Sequence, residues 1–188
     1  MALLKVVGFD PSLRHWGIAS GVYDLSTKKL EVTYVDVLEP IIERGKTVRQ
    51  NSKDLSSAYQ LSRGAKEAAK GANAIFVEVP HGSQSARAMA SYGICVGILG
   101  SLRAEGFNFF ELTEREVKSG SIGKTSASKR EMIQWATTQF PDAPWSTYSK
   151  GGVAVISEAK AEHQADAAAT IFSGVQLPQF QQLTLFNS

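Results

Sequence analysis

Residues 3–24 read LLKVVGFDPSLRHWGIASGVYD, and this stretch decides the fold. The apolar run from Leu3 to Phe9 has strand character and stops at Asp10-Pro11-Ser12, where turn chemistry releases the chain and leaves Asp10 at a strand end. Trp16 to Tyr23 forms a second strand pattern. Lys29 to Leu38 forms a third, alternating through Leu30, Val32, Tyr34, Asp36 and Leu38, with Asp24 to Thr27 as the turn before it. The three runs predict an antiparallel meander.

Beyond the meander the periodicity changes. Asn51 to Gly71 carries Leu55, Ala58, Leu61, Ala65 and Ala68 at helical spacing, and Ala74 to Val79 is a short apolar run holding Glu78 before the breaker Pro80-His81-Gly82. A helix rich in small residues is expected from Ser83 to Glu105, a strand from Phe107 to Leu112, and a short helix capped by Thr113 through Lys118. A further helix is expected from Ser128 to Phe140. Residues 141–153, PDAPWSTYSKGGV, break every period and read as a loop, ordered or mobile. A last helix spans Ser157 to Phe172. The order βββαβαβααα predicts an α/β fold, one five-stranded mixed sheet flanked by helices, occupying residues 1–174 and followed by a polar tail at 175–188.

Composition narrows the class. At 188 residues, with 43% hydrophobic and 20% charged residues, the chain suits one globular domain rather than a disordered scaffold. No apolar run reaches membrane-spanning length, and the start carries no leader pattern, so a cytoplasmic protein is expected. The lone cysteine, Cys95, lies in an apolar run and is expected to be buried and inert; a disulfide framework is excluded. A net charge of +2 does not by itself announce nucleic acid.

Two carboxylates interrupt apolar strands, and burying a charge is costly unless it is paired or binds a cation. Asp10 and Glu78 both end their strands, so they converge on one rim of the sheet if the strands are neighbours. His163 and Asp166, at i and i+3, share a helix face suited to joint metal ligation. Carboxylates with one imidazole suit Mg²⁺ or Mn²⁺ better than structural zinc. Each alone has an ordinary alternative: Asp10 capping the turn at Pro11, Glu78 pairing with a helix cation, His163 and Asp166 as solvated helix residues.

The opening Gly8-Phe9-Asp10-Pro11 through Gly17, the strand ending in Glu78, the Val117-Lys118 and Ala127-Ser128-Lys129 stretches, and the closing His163-x-x-Asp166 before Ala167 to Ala169 together resemble the RuvC-type Holliday junction resolvases of the RNase H-like superfamily. The resemblance spans residues 3–172. It implies a two-ion site with Asp10, Glu78, His163 and Asp166 as metal ligands, Asp10 shared between the ions, and Lys129 offsetting phosphate charge. The implied activity is cleavage of branched DNA by paired nicks leaving 5′-phosphate and 3′-hydroxyl ends. Two departures stand out. Residues 141–156 are longer than in the usual bacterial enzymes, and His81 occupies the position of an aromatic wedge; the divergence suggests a phage-encoded version.

Local charge is consistent with a polyanion. Arg44, Lys46, Arg49, Lys53, Arg63, Lys66 and Lys70 face only Asp54 and Glu67, although a solvated helix face reads the same way. His81, Arg87, Lys118, Lys124 and Arg130 are the candidate DNA contacts. Gly123-Lys124-Thr125 is not a phosphate-binding P-loop, because that motif requires glycine where Lys118 stands. Ala86, Ala88, Ala90, Ser91, Gly93, Gly97 and Gly100 would let a second helix approach closely, and a homodimer is expected. In the tail, Gln182-Leu183-Thr184-Leu185-Phe186 resembles the extended pentapeptide with which partners dock on bacterial sliding clamps. Two rival readings are a junction-binding protein without cleavage and a small actin-like ATPase; the full set of acids argues against the first, and a chain too short for a second lobe against the other.

Overall fold

The computed structural model describes residues 3–43, 45 and 47–185. Strands β1 (Leu3–Asp10), β2 (Trp16–Asp24) and β3 (Leu30–Leu38) form the expected meander. Helix α1 (Gln50–Ala69) leads to β4 (Ala74–Glu78), α2 (Ala86–Ala104) to β5 (Phe109–Leu112), and α3 (Glu114–Ile122) to α4 (Lys129–Gln139). The sheet order is β3-β2-β1-β4-β5, antiparallel through the meander and parallel from β1 to β5. Thr113 with Glu116, and Ser128 with Glu131, close reciprocal capping boxes that start α3 and α4.

Strand alternation sorts the side chains into two layers. Val7, Phe9, Trp16, Ile75 and Val77 face α1 and α2, where Leu61, Cys95, Leu99 and Leu102 cover them. Val6, Ala19, Phe76 and Leu112 point the other way, beneath α5 (Glu158–Gly174). With a period of two, Asp10 and Glu78 fall on the α5 side.

Helix α5 lies on the sheet at backbone contact. A Cβ on Gly8 would stand 2.2 Å from the Ala167 carbonyl oxygen, and one on Gly17 would stand 2.2 Å from that of His163. Any side chain at either position would lift the helix. Ala161, Ala165 and Ala167 to Ala169 are fully buried on this helix, so its small residues complete the fit.

Two expectations are corrected. Residues 141–153 are not wholly loop, because β6 (Thr147–Lys150) and β7 (Val153–Ile156) pair as a hairpin through Gly151 and Gly152, whose φ values of 60° and 82° suit a tight two-residue turn. Its residues are mostly exposed, so no apolar alternation marked them. The tail is not extended either. Residues 178–185 form α6 (Pro178–Leu185), with Phe180 buried against Tyr23, Phe76 and Phe110 and Thr184 buried beside it. Among the described residues no helix is long and apolar enough to cross a membrane.

The close approach sets a stability test. Gly8→Ala should cost about 3 kcal/mol, since backbone rather than a flexible side chain must yield. Gly93→Ala, on the open side of α2 where an added Cβ meets nothing within 4 Å, should be neutral or slightly stabilising. Urea unfolding of both variants beside the parent measures the contrast.

Candidate active site

The parallel pairing of Phe9 with Val77 makes the ends of β1 and β4 neighbours, so Asp10 and Glu78 emerge side by side. Helix α5 brings His163 and Asp166 over them. The Asp10 Oδ2 lies 2.8 Å from His163 Nδ1, both side chains being about one-fifth exposed. Glu78 and Asp166 line a cavity of about 390 Å³ with Glu114, Lys118, Lys129 and Glu162. A cleft of about 790 Å³ bordered by Gln60, Lys66 and Phe107 is larger, but none of the predicted metal ligands borders it.

The electrostatics are those of crowded acids. Burial first, then the charges of Asp10 and Glu114, push the Glu78 carboxyl up to about 7. Asp166 is raised well above the usual carboxylate range by burial, and then by Asp10 and Glu78. His163 is raised chiefly by its bond to Asp10, against the cost of burial. Neither the Glu78 nor the Asp166 carboxylate accepts a hydrogen bond or ion pair from a described residue. Half-buried oxygens without donors, beside one imidazole, are the donor chemistry that hard divalent cations favour, so the residues fit the implied Mg²⁺ or Mn²⁺. Among the described residues, no three His, Cys, Asp or Glu side chains stand close enough together, as placed, to hold a metal ion.

The predicted cations have acidic partners. Lys129 Nζ lies 2.5 Å from Glu162 and is three-quarters exposed, while Lys118 lies 2.5 Å from Glu114. Lys124 pairs with Glu131, and Arg130 lies 3.7 Å from Glu158. Arg87 grips Asp54 with both terminal nitrogens at 2.5 and 2.6 Å, holding that carboxyl low and tying α2 to α1. His81 is exposed after β4. The basic run along α1 is not one patch. Lys70, at its C-terminal end, accepts a bond through its carbonyl from Lys5 at the start of β1, a strand length away from Asp10. Arg44, Lys46 and Phe186 lie outside the described residues. Cys95 is buried, its thiol pushed up to about 12 chiefly by burial.

Sequence reasoning missed Glu114, Glu162 and His15. The first two carried a signal: Glu114 stands four residues before Lys118, and Glu162 four before Asp166, so each shares a helix face with a candidate. His15, which stacks on His163, carried none.

No protein-family profile and no curated protein sequence matches the chain. Solved structures do. The RuvC of Thermus thermophilus in complex with a Holliday junction substrate superposes with a TM-score of 0.65 at 16% identity, covering 96% of this chain and 97% of that one. A second Thermus thermophilus RuvC structure gives 0.62 at 16% identity over 90% and 92%. The yeast mitochondrial Holliday junction resolvase Ydc2 gives 0.58 at 13% identity over 97% and 84%. The chain therefore has the RNase H-like fold of the RuvC-type resolvases, over nearly its whole length.

The crowded acids make pH a probe. The folded protein holds the Glu78 proton up to about pH 7, whereas the unfolded chain releases it near 4.5, so rising pH between those values favours unfolding. His163 acts in the same direction, because its stabilisation is present below its ordinary 6.5 and is lost above its raised value. Thermal melts in chelator should fall from pH 5 to pH 8 by the equivalent of about 3 kcal/mol, and Glu78→Gln should remove much of the slope. Melting that is flat or rises across this range contradicts the cluster's electrostatics.

Proposed function

We propose that the chain is a divalent-metal-dependent endonuclease that resolves Holliday junctions or related branched DNA. One observation carries the reading: on the α5 side of the sheet, Asp10 at the end of β1 contacts His163 at 2.8 Å, and Glu78 at the end of the neighbouring strand β4 shares a cavity with Asp166, in the fold of the junction resolvases. Asp10, Glu78, Asp166 and His163 would hold two ions. Ions held there would activate water and offset charge on the leaving 3′ oxygen, chemistry that would leave 5′-phosphate and 3′-hydroxyl ends.

The chain's own residues do the positioning. Asp10 and Glu78 are fixed by paired strands, and Asp166 by a helix seated on glycine, so the ligands are held rigidly before substrate arrives. Lys129 can leave Glu162 for a phosphate, since its side chain is three-quarters exposed. Lys118 sits on the same cavity wall. Lys124, Arg130 and His81 are proposed as further DNA contacts, whereas Arg87 supports the α1–α2 layer through Asp54.

A symmetric homodimer accords with paired nicks on a two-fold junction. Its support is the outer side of α2, where Gly93, Gly97 and Gly100 are exposed beside Met89 and Val96, 45% and 46% exposed. Clamp docking through Gln182, Leu183, Leu185 and Phe186 has weaker support, because an extended peptide would require α6 to unwind and Thr184 to leave the interior.

The test is cleavage of a synthetic four-way junction beside linear duplex, with Mg²⁺. The parent should nick the junction in pairs. Asp10→Asn should lower the rate at least 100-fold while junction binding in gel shift stays within about threefold, since phosphate contacts lie elsewhere. Equal rates at saturating Mg²⁺, or a parent that binds junctions without cutting, would overturn the nuclease reading.

A further inference from the structure

The Asp10-Pro11-Ser12 turn continues into a segment that the proposed ligand set does not use. Ser12 Oγ accepts the His15 backbone N–H at 3.0 Å and donates to the His15 carbonyl at 2.9 Å, closing a small ring that fixes the backbone of His15. The His15 side chain then lies flat on His163, with ring centroids 5.3 Å apart and planes 13° apart. Its Nε2 stands 3.8 Å from Glu39 Oε1, and the other oxygen of Glu39 is held at 2.7 Å by Lys160, one turn before His163 on α5. The chain Lys160–Glu39–His15–His163–Asp10 thus joins α5, the end of β3 and the β1–β2 turn.

A histidine that binds a metal through one nitrogen is usually oriented by a hydrogen bond from the other. Here Nδ1 of His163 faces Asp10 at 2.8 Å. Its Nε2 has no hydrogen-bond acceptor among the described residues. Besides the bond to Asp10, the ring plane is held on the protein side by the stacked contact with His15. We infer that His15 is a positioning residue: its ring, placed by the backbone ring that Ser12 closes, stops His163 from rotating and keeps Nδ1 directed at the Asp10 carboxylate. The inference rests on the proposed metal site for its consequence, weaker ion binding when the brace is lost, but the orientation of His163 stands apart from it.

The experiment uses His15→Ala, which removes the platform, and His15→Phe, which keeps a flat ring but severs the link to Glu39. In chelator, two-bond ¹H–¹⁵N spectra of the imidazoles report His163 directly. Its signals should broaden or shift in His15→Ala and stay near the parent's in His15→Phe. Calorimetry with Mn²⁺ should then show five- to tenfold weaker binding for His15→Ala and less than twofold for His15→Phe, with melting temperatures of all three within about 3 °C. Parent-like His163 signals and Mn²⁺ affinity in His15→Ala overturn the inference, as does a His15→Phe variant as impaired as His15→Ala. A parent that takes up no Mn²⁺ overturns the metal reading instead, and the imidazole spectra then decide the positioning claim alone.

Discussion

A carbonyl oxygen of α5 stands 2.2 Å from where a Cβ would sit on Gly8, and another stands equally close to Gly17. The two glycines are register neighbours on adjacent strands, Gly17 paired with Asp10 two residues beyond Gly8, so the helix crosses the sheet over a shallow saddle. Everything chemical in the molecule follows from that contact. A helix packed on ordinary side chains rides about 10 Å above its sheet, which would carry His163 out of reach of Asp10. At backbone contact the imidazole reaches the carboxylate at 2.8 Å, and Asp166, one turn on, drops toward Glu78. The alanines of α5 complete the seat, and its far end is closed by Gly174 against the Phe76 ring.

The cost of the arrangement is electrostatic. Three carboxylates are gathered where burial and mutual repulsion raise two of them, and among the described residues only Asp10 has a hydrogen-bonded side-chain partner, His163. A fold selected for stability alone would not keep Glu78 and Asp166 without donors among the described residues. The surrounding shell softens the problem without removing it. Glu114 and Glu162 are each neutralised by a lysine at 2.5 Å, so the cavity rim carries paired charges while its floor stays acidic. Such an imbalance suits a site whose ligand is a cation and whose substrate is a phosphate.

Much of this was legible in the sequence, for reasons that particular residues make plain. Asp10 and Glu78 could be read because each interrupts an apolar strand at a turn, and the five-stranded α/β order followed from periods of two and 3.6. The pair His163 and Asp166 could be read from helical spacing. The hairpin was hidden because Thr147 to Lys150 and Val153 to Ile156 carry no buried face; its only mark was Gly151-Gly152 between two short runs. Helix α6 was hidden by Pro178, read as a breaker, though proline at a first helical position is a start signal and Phe180 two residues later supplies the buried anchor. His15 left no trace, since a stacking contact across 148 positions has no local pattern. Nor could spacing show that the basic run of α1 extends to the opposite end of the sheet.

The glycine-seated helix and the two strand ends are proposed to form one site for two divalent ions. Titrating the parent with Mn²⁺ at pH 7.5 and following the free ion by electron paramagnetic resonance tests it most directly. Two ions should be taken up per chain, with the bound signal broadened by coupling between them, and Asp166→Asn should lose at least one. No uptake, or uptake that Asp166→Asn leaves unchanged, would contradict the account.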